Sequence, residues 1–172
     1  MASTTKTSPS SVVVDANVAI AICAKEPDKF AIATAQIQTY AMDGSRFYAP
    51  GVIGGECLYV FCRKLQAGDL TATEHANAIK AFITFMGAVE PPPAGDKSLI
   101  QRAEDFRGVL GCSRSADGIY LALAEELAKS STTEVITFDN GMQTQGVANS
   151  LTPQVVVLPT TPPPLSAPPP TP

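Results

Sequence analysis

An uninterrupted β-branched run lies near the start of the chain, where Val12, Val13 and Val14 follow one another without a polar alternation. Such a run suits a strand buried on both faces, the situation of strands in parallel sheets covered by helices. It stops on Asp15 and passes into a helix-like segment at residues 18–25, which ends near Pro27 because the residue before a proline is driven out of the α region. Helical spacing resumes over residues 28–42, through Phe30, Ile32, Ala33, Ile37, Tyr40 and Ala41, until Asp43-Gly44 stops it. Residues 46–49 predict a brief second strand capped by Pro50-Gly51.

The helical period returns over residues 52–65, with Ile53, Cys57, Val60, Phe61 and Leu65 for the buried side, and over 71–86, with Ala72, Ala76, Ile79, Phe82, Ile83 and Phe85. Val89-Glu90 predicts an edge of sheet, and residues 94–96 a turn and cap. Residues 97–110 form a mixed helix that offers Leu99, Ile100, Ala103, Phe106 and Leu110 to a core and turns Arg102, Glu104, Asp105 and Arg107 to solvent. A strongly apolar helix follows to Ala128, with Ser115 as its N-cap and Asp117 in its first turn. Residues 134–138 are a clear strand that ends at Asp139 and the turn formers Asn140-Gly141, and residues 155–158 supply a last one. Strands alternating with helices predict α/β architecture: a single domain over residues 11–158 with a mostly parallel central sheet and helices on both faces.

Composition adjusts this picture at the two ends. Residues 1–10 are polar, with one lysine and no apolar stretch behind it, and are expected to be a disordered N-terminal segment with no signal-peptide pattern. Residues 159–172 hold eight of the fifteen prolines, and no charge occurs after Asp139, so a disordered, polyproline-like tail is expected there. With 172 residues, 45% hydrophobic and 16% charged, the chain is long enough for one sizeable core, and no stretch is apolar for long enough to span a membrane. Cys23, Cys57, Cys62 and Cys112 show neither zinc nor secreted-scaffold spacing and are expected as reduced core residues of a cytoplasmic protein. His75, alone of its kind and assigned to a helix surface, leaves a histidine metal site or a Ser-His-Asp triad little to draw on. A net charge of −4 argues against a broad phosphate-binding face, though not against a local basic rim.

The chemistry that remains is acidic. Asp15 stands at the C-terminal end of the first strand, the edge of an open α/β sheet where ligands collect. It equally suits the N-cap of the next helix. Glu56 sits in the early turns of a helix whose dipole favours an acid, yet its neighbours one turn away are Val52, Ile53, Tyr59 and Val60, not a solvated stripe. Asp117 is an ordinary first-turn aspartate, and Asp139 an ordinary turn aspartate that repeats the strand-then-acid arrangement of Asp15. Right-handed crossovers put the ends of residues 12–14 and 135–138 on one edge, so all four acids can share a cleft. Carboxylates gathered there repel one another unless a divalent ion neutralises them, and an all-oxygen set suits Mg²⁺ or Mn²⁺, ions that act on phosphates.

The ordered set Val-Val-Asp15-Ala-Asn17, Glu56 within a helix, Ser115-Ala-Asp117 before an Ala/Leu-rich helix, and Ile-Thr137-Phe-Asp139 resembles the PIN domain, most of all the short ribonucleases of VapC-type toxin–antitoxin pairs. The resemblance runs over residues 11–158 and rests on the order of the motifs, each of which is short. It implies a PIN-like fold and a Mg²⁺- or Mn²⁺-dependent endoribonuclease. Asp15 and Asp117 are then the principal metal ligands, Glu56 and Asp139 complete the acidic cluster, and Asn17 and Thr137 position Asp15 and Asp139. It also implies a homodimer and a cognate antitoxin protein that blocks the cleft. The proline-rich tail and the low basic content depart from the compact members. Arg46, Arg63, Lys64 and Arg114 are the candidate phosphate contacts for an RNA substrate. A non-catalytic module of the same fold, binding RNA or protein, is the alternative; a receiver-like or phosphatase-like enzyme is disfavoured, because position 17 is Asn and no lysine follows late in the chain.

Overall fold

The computed structural model describes residues 8–110 and 115–160, the side chains of 107–110 and 115 excepted. Its elements are β1 (Ser11–Val14), α1 (Ala16–Cys23), α2 (Phe30–Met42), β2 (Arg46–Tyr48), α3 (Val52–Ala67), α4 (Ala72–Met86), β3 (Val89–Glu90), a 3₁₀ turn (Asp96–Leu99), α5 (Ile100–Leu110), α6 (Ser115–Ala128), β4 (Thr133–Thr137), α7 (Asn140–Ala148) and β5 (Gln154–Val157). The five strands form one sheet in the order β3-β2-β1-β4-β5, and every pairing is parallel. This is the expected α/β, PIN-like architecture, with a sheet that is wholly parallel.

The valines of β1 explain why it is central. Val13 faces one core with Val135, Val155, Ile53, Phe61, Tyr120 and Leu123, while Val12 and Val14 face a second with Ile136, Ala33 and Tyr40. All three valines are fully buried, as a strand covered by helices on both faces requires. From β1 the chain adds β2 and β3 on one side, then crosses back to add β4 and β5 on the other. The strand order therefore reverses between β1 and β4, and at such a switch point the connections leave in opposite directions and open a crevice beyond the strand ends.

Several local expectations are corrected. Helix α1 begins at Ala16, directly after Asp15. Helix α7 occupies the segment expected as a turn: its apolar pattern is weak, and it is held from outside, with Met142 buried and Gly146 so close to β5 that a Cβ there would stand 3.1 Å from Val155 Cγ2. Helix α4 buries Ala78 and Phe82 and exposes Ala72, Ala76 and Ile83, because it carries apolar residues on more than one face. Ile100 and Cys62 are likewise exposed, whereas Cys23 and Cys57 are buried free thiols as expected. Arg102, expected in solvent, pairs with Glu125 of α6 at 2.7 Å. His75 is half-buried on α4. Ser8 to Ser10, placed by the sequence in the leading segment, lie against the body: Pro9 is buried and its carbonyl accepts from Ser45 Oγ at 2.6 Å. Residues 1–7, Cys112, Arg114 and the tail from residue 161 fall outside the described residues. No helix among the described residues is long and apolar enough to cross a membrane.

Candidate functional site

Asp15 leaves β1 at the switch point and stands in the N-cap position of α1 with extended backbone (φ −73°, ψ 151°). Its carbonyl accepts from the N–H of Val18 at 3.0 Å, but its side chain makes no capping bond. The carboxylate turns across to β4, where Thr137 Oγ1 donates to its Oδ2 at 2.6 Å. The direction of that bond follows from the hydroxyl's other partners. Asn17 Nδ2 donates to Thr137 Oγ1 at 3.0 Å and the backbone N–H of Asp139 does so at 2.9 Å, which leaves the single hydroxyl proton for Asp15. Asn17 is oriented in turn by the N–H of Phe138, which donates to its Oδ1 at 3.0 Å. One buried threonine thus ties the ends of β1 and β4 together and fixes Asp15.

Glu56 and Asp117 reach the same edge because their helices begin there. Helix α3 follows the end of β2, which places Glu56 in its second turn, and α6 precedes the start of β4, which places Asp117 at the opposite, leading end of that helix. Cys57, the neighbour of Glu56, is fully buried, and its Sγ lies 3.8 Å from the carbonyl of Ala16, so α3 is pinned to α1 beside Asp15. Gly118, the neighbour of Asp117, lies so close to α5 that a Cβ would stand 2.8 Å from Ala103 O; only glycine lets the first turn of α6 settle there.

The electrostatics record the convergence. Burial pushes the Asp15 carboxyl up to about 7, against the Thr137 hydrogen bond, and the charges of Asp117 and Glu56 add to the rise. Burial and the charge of Asp117 raise Glu56 as well, opposed by a hydrogen bond from Tyr120. Among the described residues no lysine, arginine or histidine forms an ion pair with Asp15 or Glu56.

Asp139 enters differently. Its backbone serves Thr137, while its Oδ1 accepts from the N–H of Gly141 at 2.6 Å and caps α7. Ser115 is the first helical residue of α6; its side chain, like Arg114, lies outside the described residues. Arg46 stands opposite Ser11, at the other end of the sheet from Asp15, and its guanidinium is held by Glu90. It cannot serve as a phosphate contact at this edge. Lys64 is paired with Glu26 at 2.7 Å, and Arg63 is exposed.

Asp15, Glu56 and Asp117 present carboxylate oxygens alone, a donor set that fits a hard divalent ion in kind. Their placement is looser than a finished cage: among the described residues no three Asp, Glu, His or Cys side chains are grouped as a ready cation site. Two residues of this edge were not singled out by the sequence. Cys57 was read as core only. Tyr120 was read as part of an apolar helix, although a lone phenol one turn beyond Asp117 was the available signal; its hydroxyl donates to Glu56 Oε2 at 2.6 Å.

No protein-family model matches the sequence, and no curated protein matches it. In structure, the chain is similar to one in the crystal structure of FitAcB from Neisseria gonorrhoeae, with a TM-score of 0.53 over 84% of this chain and 95% of that one. The sequence identity is 16%, so the likeness is one of fold.

Proposed function

We propose that this chain is a divalent-metal-dependent endoribonuclease that hydrolyses RNA phosphodiester bonds, acting in the cytoplasm as the toxin component of a toxin–antitoxin pair. The observation that carries the reading is a buried carboxylate at the switch point of a parallel sheet, faced, among the described residues, by two further acids rather than by a cation. Perturbed acids gathered in a crevice are the signature of a functional site more than of a structural one.

In this reading Asp15 and Asp117 are the principal ligands of Mg²⁺ or Mn²⁺, with Glu56 and Asp139 completing the cluster. Such an ion, when bound, lowers the pKa of a water and neutralises charge on a leaving oxygen. The chain's own residues do the positioning. Thr137 and Asn17 lock Asp15 in one orientation, Cys57 seats α3 so that Glu56 faces it, and Gly118 seats α6 so that Asp117 does. The toxin reading, which the PIN resemblance supports, brings with it a homodimer and a cognate antitoxin that covers the crevice.

The test is cleavage of a labelled single-stranded RNA by the purified chain in Mg²⁺ and Mn²⁺. Asp15→Ala and Asp117→Asn, each with an unchanged circular dichroism spectrum, are expected to lower kcat/KM by about a hundredfold or more, roughly 3 kcal/mol of transition-state stabilisation. Full activity in both variants rejects the site. The loose spacing of the acids favours one second reading, a non-catalytic module that binds RNA or protein. RNA binding that survives Asp15→Ala, with no cleavage in any divalent ion, is its signature.

A further inference from the structure

Helix α3 carries apolar residues on two sides. Ile53, Cys57 and Phe61 fill the core, while Gly55, Leu58, Tyr59, Cys62 and Leu65 follow one another at i, i+3, i+4, i+7 and i+10 along the outer side. All five are exposed, Tyr59 to 65% and Leu58 to 49%. Single apolar residues scattered over a surface need no explanation, but an unbroken stripe along a helix marks a place where something docks. Glu56 and Arg63 border this stripe on one flank, seven residues and so about 10 Å apart along the helix. They do not pair with each other. Among the described residues Arg63 has no ion pair, and Glu56 is met by the Tyr120 hydroxyl and by no cation.

We propose that two copies of the chain pack their α3 stripes antiparallel about a two-fold axis, and that the partner's Arg63 reaches Glu56 at the rim of the acidic crevice. Charge and symmetry commit the face to a second copy. The midpoint of positions 56 and 63 falls at Tyr59 and Val60, in the middle of the stripe. A two-fold axis there sets each arginine beside the other copy's glutamate, so one contact is made twice, as a self-complementary interface requires. A parallel arrangement would set Arg63 against Arg63, and flanking charges of this kind decide the direction in which paired helices run. The crevice thereby gains a cation that its own chain does not give Glu56 among the described residues. The inference rests on the homodimer of the reading above and needs no bound ion.

Sedimentation equilibrium of the full chain over a concentration series tests this. The wild type is expected to dimerise. Arg63→Glu puts like charges together twice in the dimer and is expected to raise the dimer Kd by about a hundredfold, tenfold for each contact. Glu56→Arg does the same with the opposite sign. An equimolar mixture of the two variants restores both opposite-charge contacts and is expected to form the mixed dimer with wild-type strength. A monomeric wild type, whether the stripe is bare or held by a different protein, overturns the proposal. So does a dimer that Arg63→Glu leaves unchanged, or a mixture that stays monomeric with both variants folded. Should Glu56→Arg fail to fold, wild-type protein treated with a short bis-maleimide decides through the exposed thiol of Cys62: cross-linked dimer that is lost in Cys62→Ser supports the proposal, and no dimer, or dimer that persists in Cys62→Ser, contradicts it. RNA has no part in these measurements, so a chain that pairs this way without cutting RNA overturns the nuclease reading alone.

Discussion

Helix α1 has an acid at each end, and the molecule treats the two in opposite ways. Past its C-terminal end lies Glu26. Burial alone would raise its carboxyl, but Lys64 at 2.7 Å and Lys29 at 3.2 Å outweigh that and hold it below the ordinary range. At the other end Asp15 is buried, receives the Thr137 hydroxyl and the backbone N–H of Ala16 rather than a cation among the described residues, and faces Asp117 and Glu56. An acid kept for the fold is given counter-ions by its own chain. An acid surrounded by more acids weakens the fold and calls for a positive partner from outside.

The contrast is sharpest in the pH dependence of stability. Asp15 is raised from 3.8 to about 7, so the folded chain binds its proton more tightly than the unfolded chain does. The contribution is fully present below pH 3.8, falls as pH rises through about 7, and leaves a cost on the order of 4 kcal/mol above it. Asp15→Asn keeps an acceptor for Thr137 and carries no charge. In chelator at pH 8 it is expected to resist denaturant better than the wild type, with the gap closing near pH 4; equal curves at both pH values break the comparison.

Thr137→Val keeps the shape but leaves Asp15, Asn17 and the N–H of Asp139 without their shared hydroxyl, for an expected loss of about 2–3 kcal/mol in the same unfolding measurement. Glu26→Gln has the sign opposite to Asp15→Asn. Its lowered carboxyl contributes stability above the unfolded pKa that is lost as pH falls through the folded one, so the variant is weaker near neutrality by about 1 kcal/mol and equal to the wild type in acid. Arg46→Ala, at the far end of the sheet, is expected to leave RNA cleavage and Mn²⁺ binding unchanged; a loss of either moves the functional edge elsewhere.

The strands were legible because β-branched runs such as Val12 to Val14 and Val135-Ile136 have little alternative to a buried parallel sheet, and that sheet dictated which edge Asp15 would occupy. Helix α7 was not legible, since the glycines and polar residues of Asn140 to Ala148 show no face of their own; contacts with β5 hold it. The buried side of α4 was misjudged for the reverse reason, an excess of apolar positions around the helix. At the site, Asp15 could be picked out because it sits at a strand end, where local pattern and topology agree, whereas Asn17, in the first turn of α1, and Thr137 came from the family resemblance. The link between Tyr120 and Glu56 joins two helices distant in sequence, and no local period encodes it.

Calorimetric titration of metal-free protein with MnCl₂ at pH 8, for the wild type, Asp15→Asn and Asp117→Asn, tests the central claim most directly. The account predicts saturable binding by the wild type, raised unfolding temperature on loading, and loss of both in either variant. Binding of equal strength in all three proteins, or none in the wild type, contradicts it.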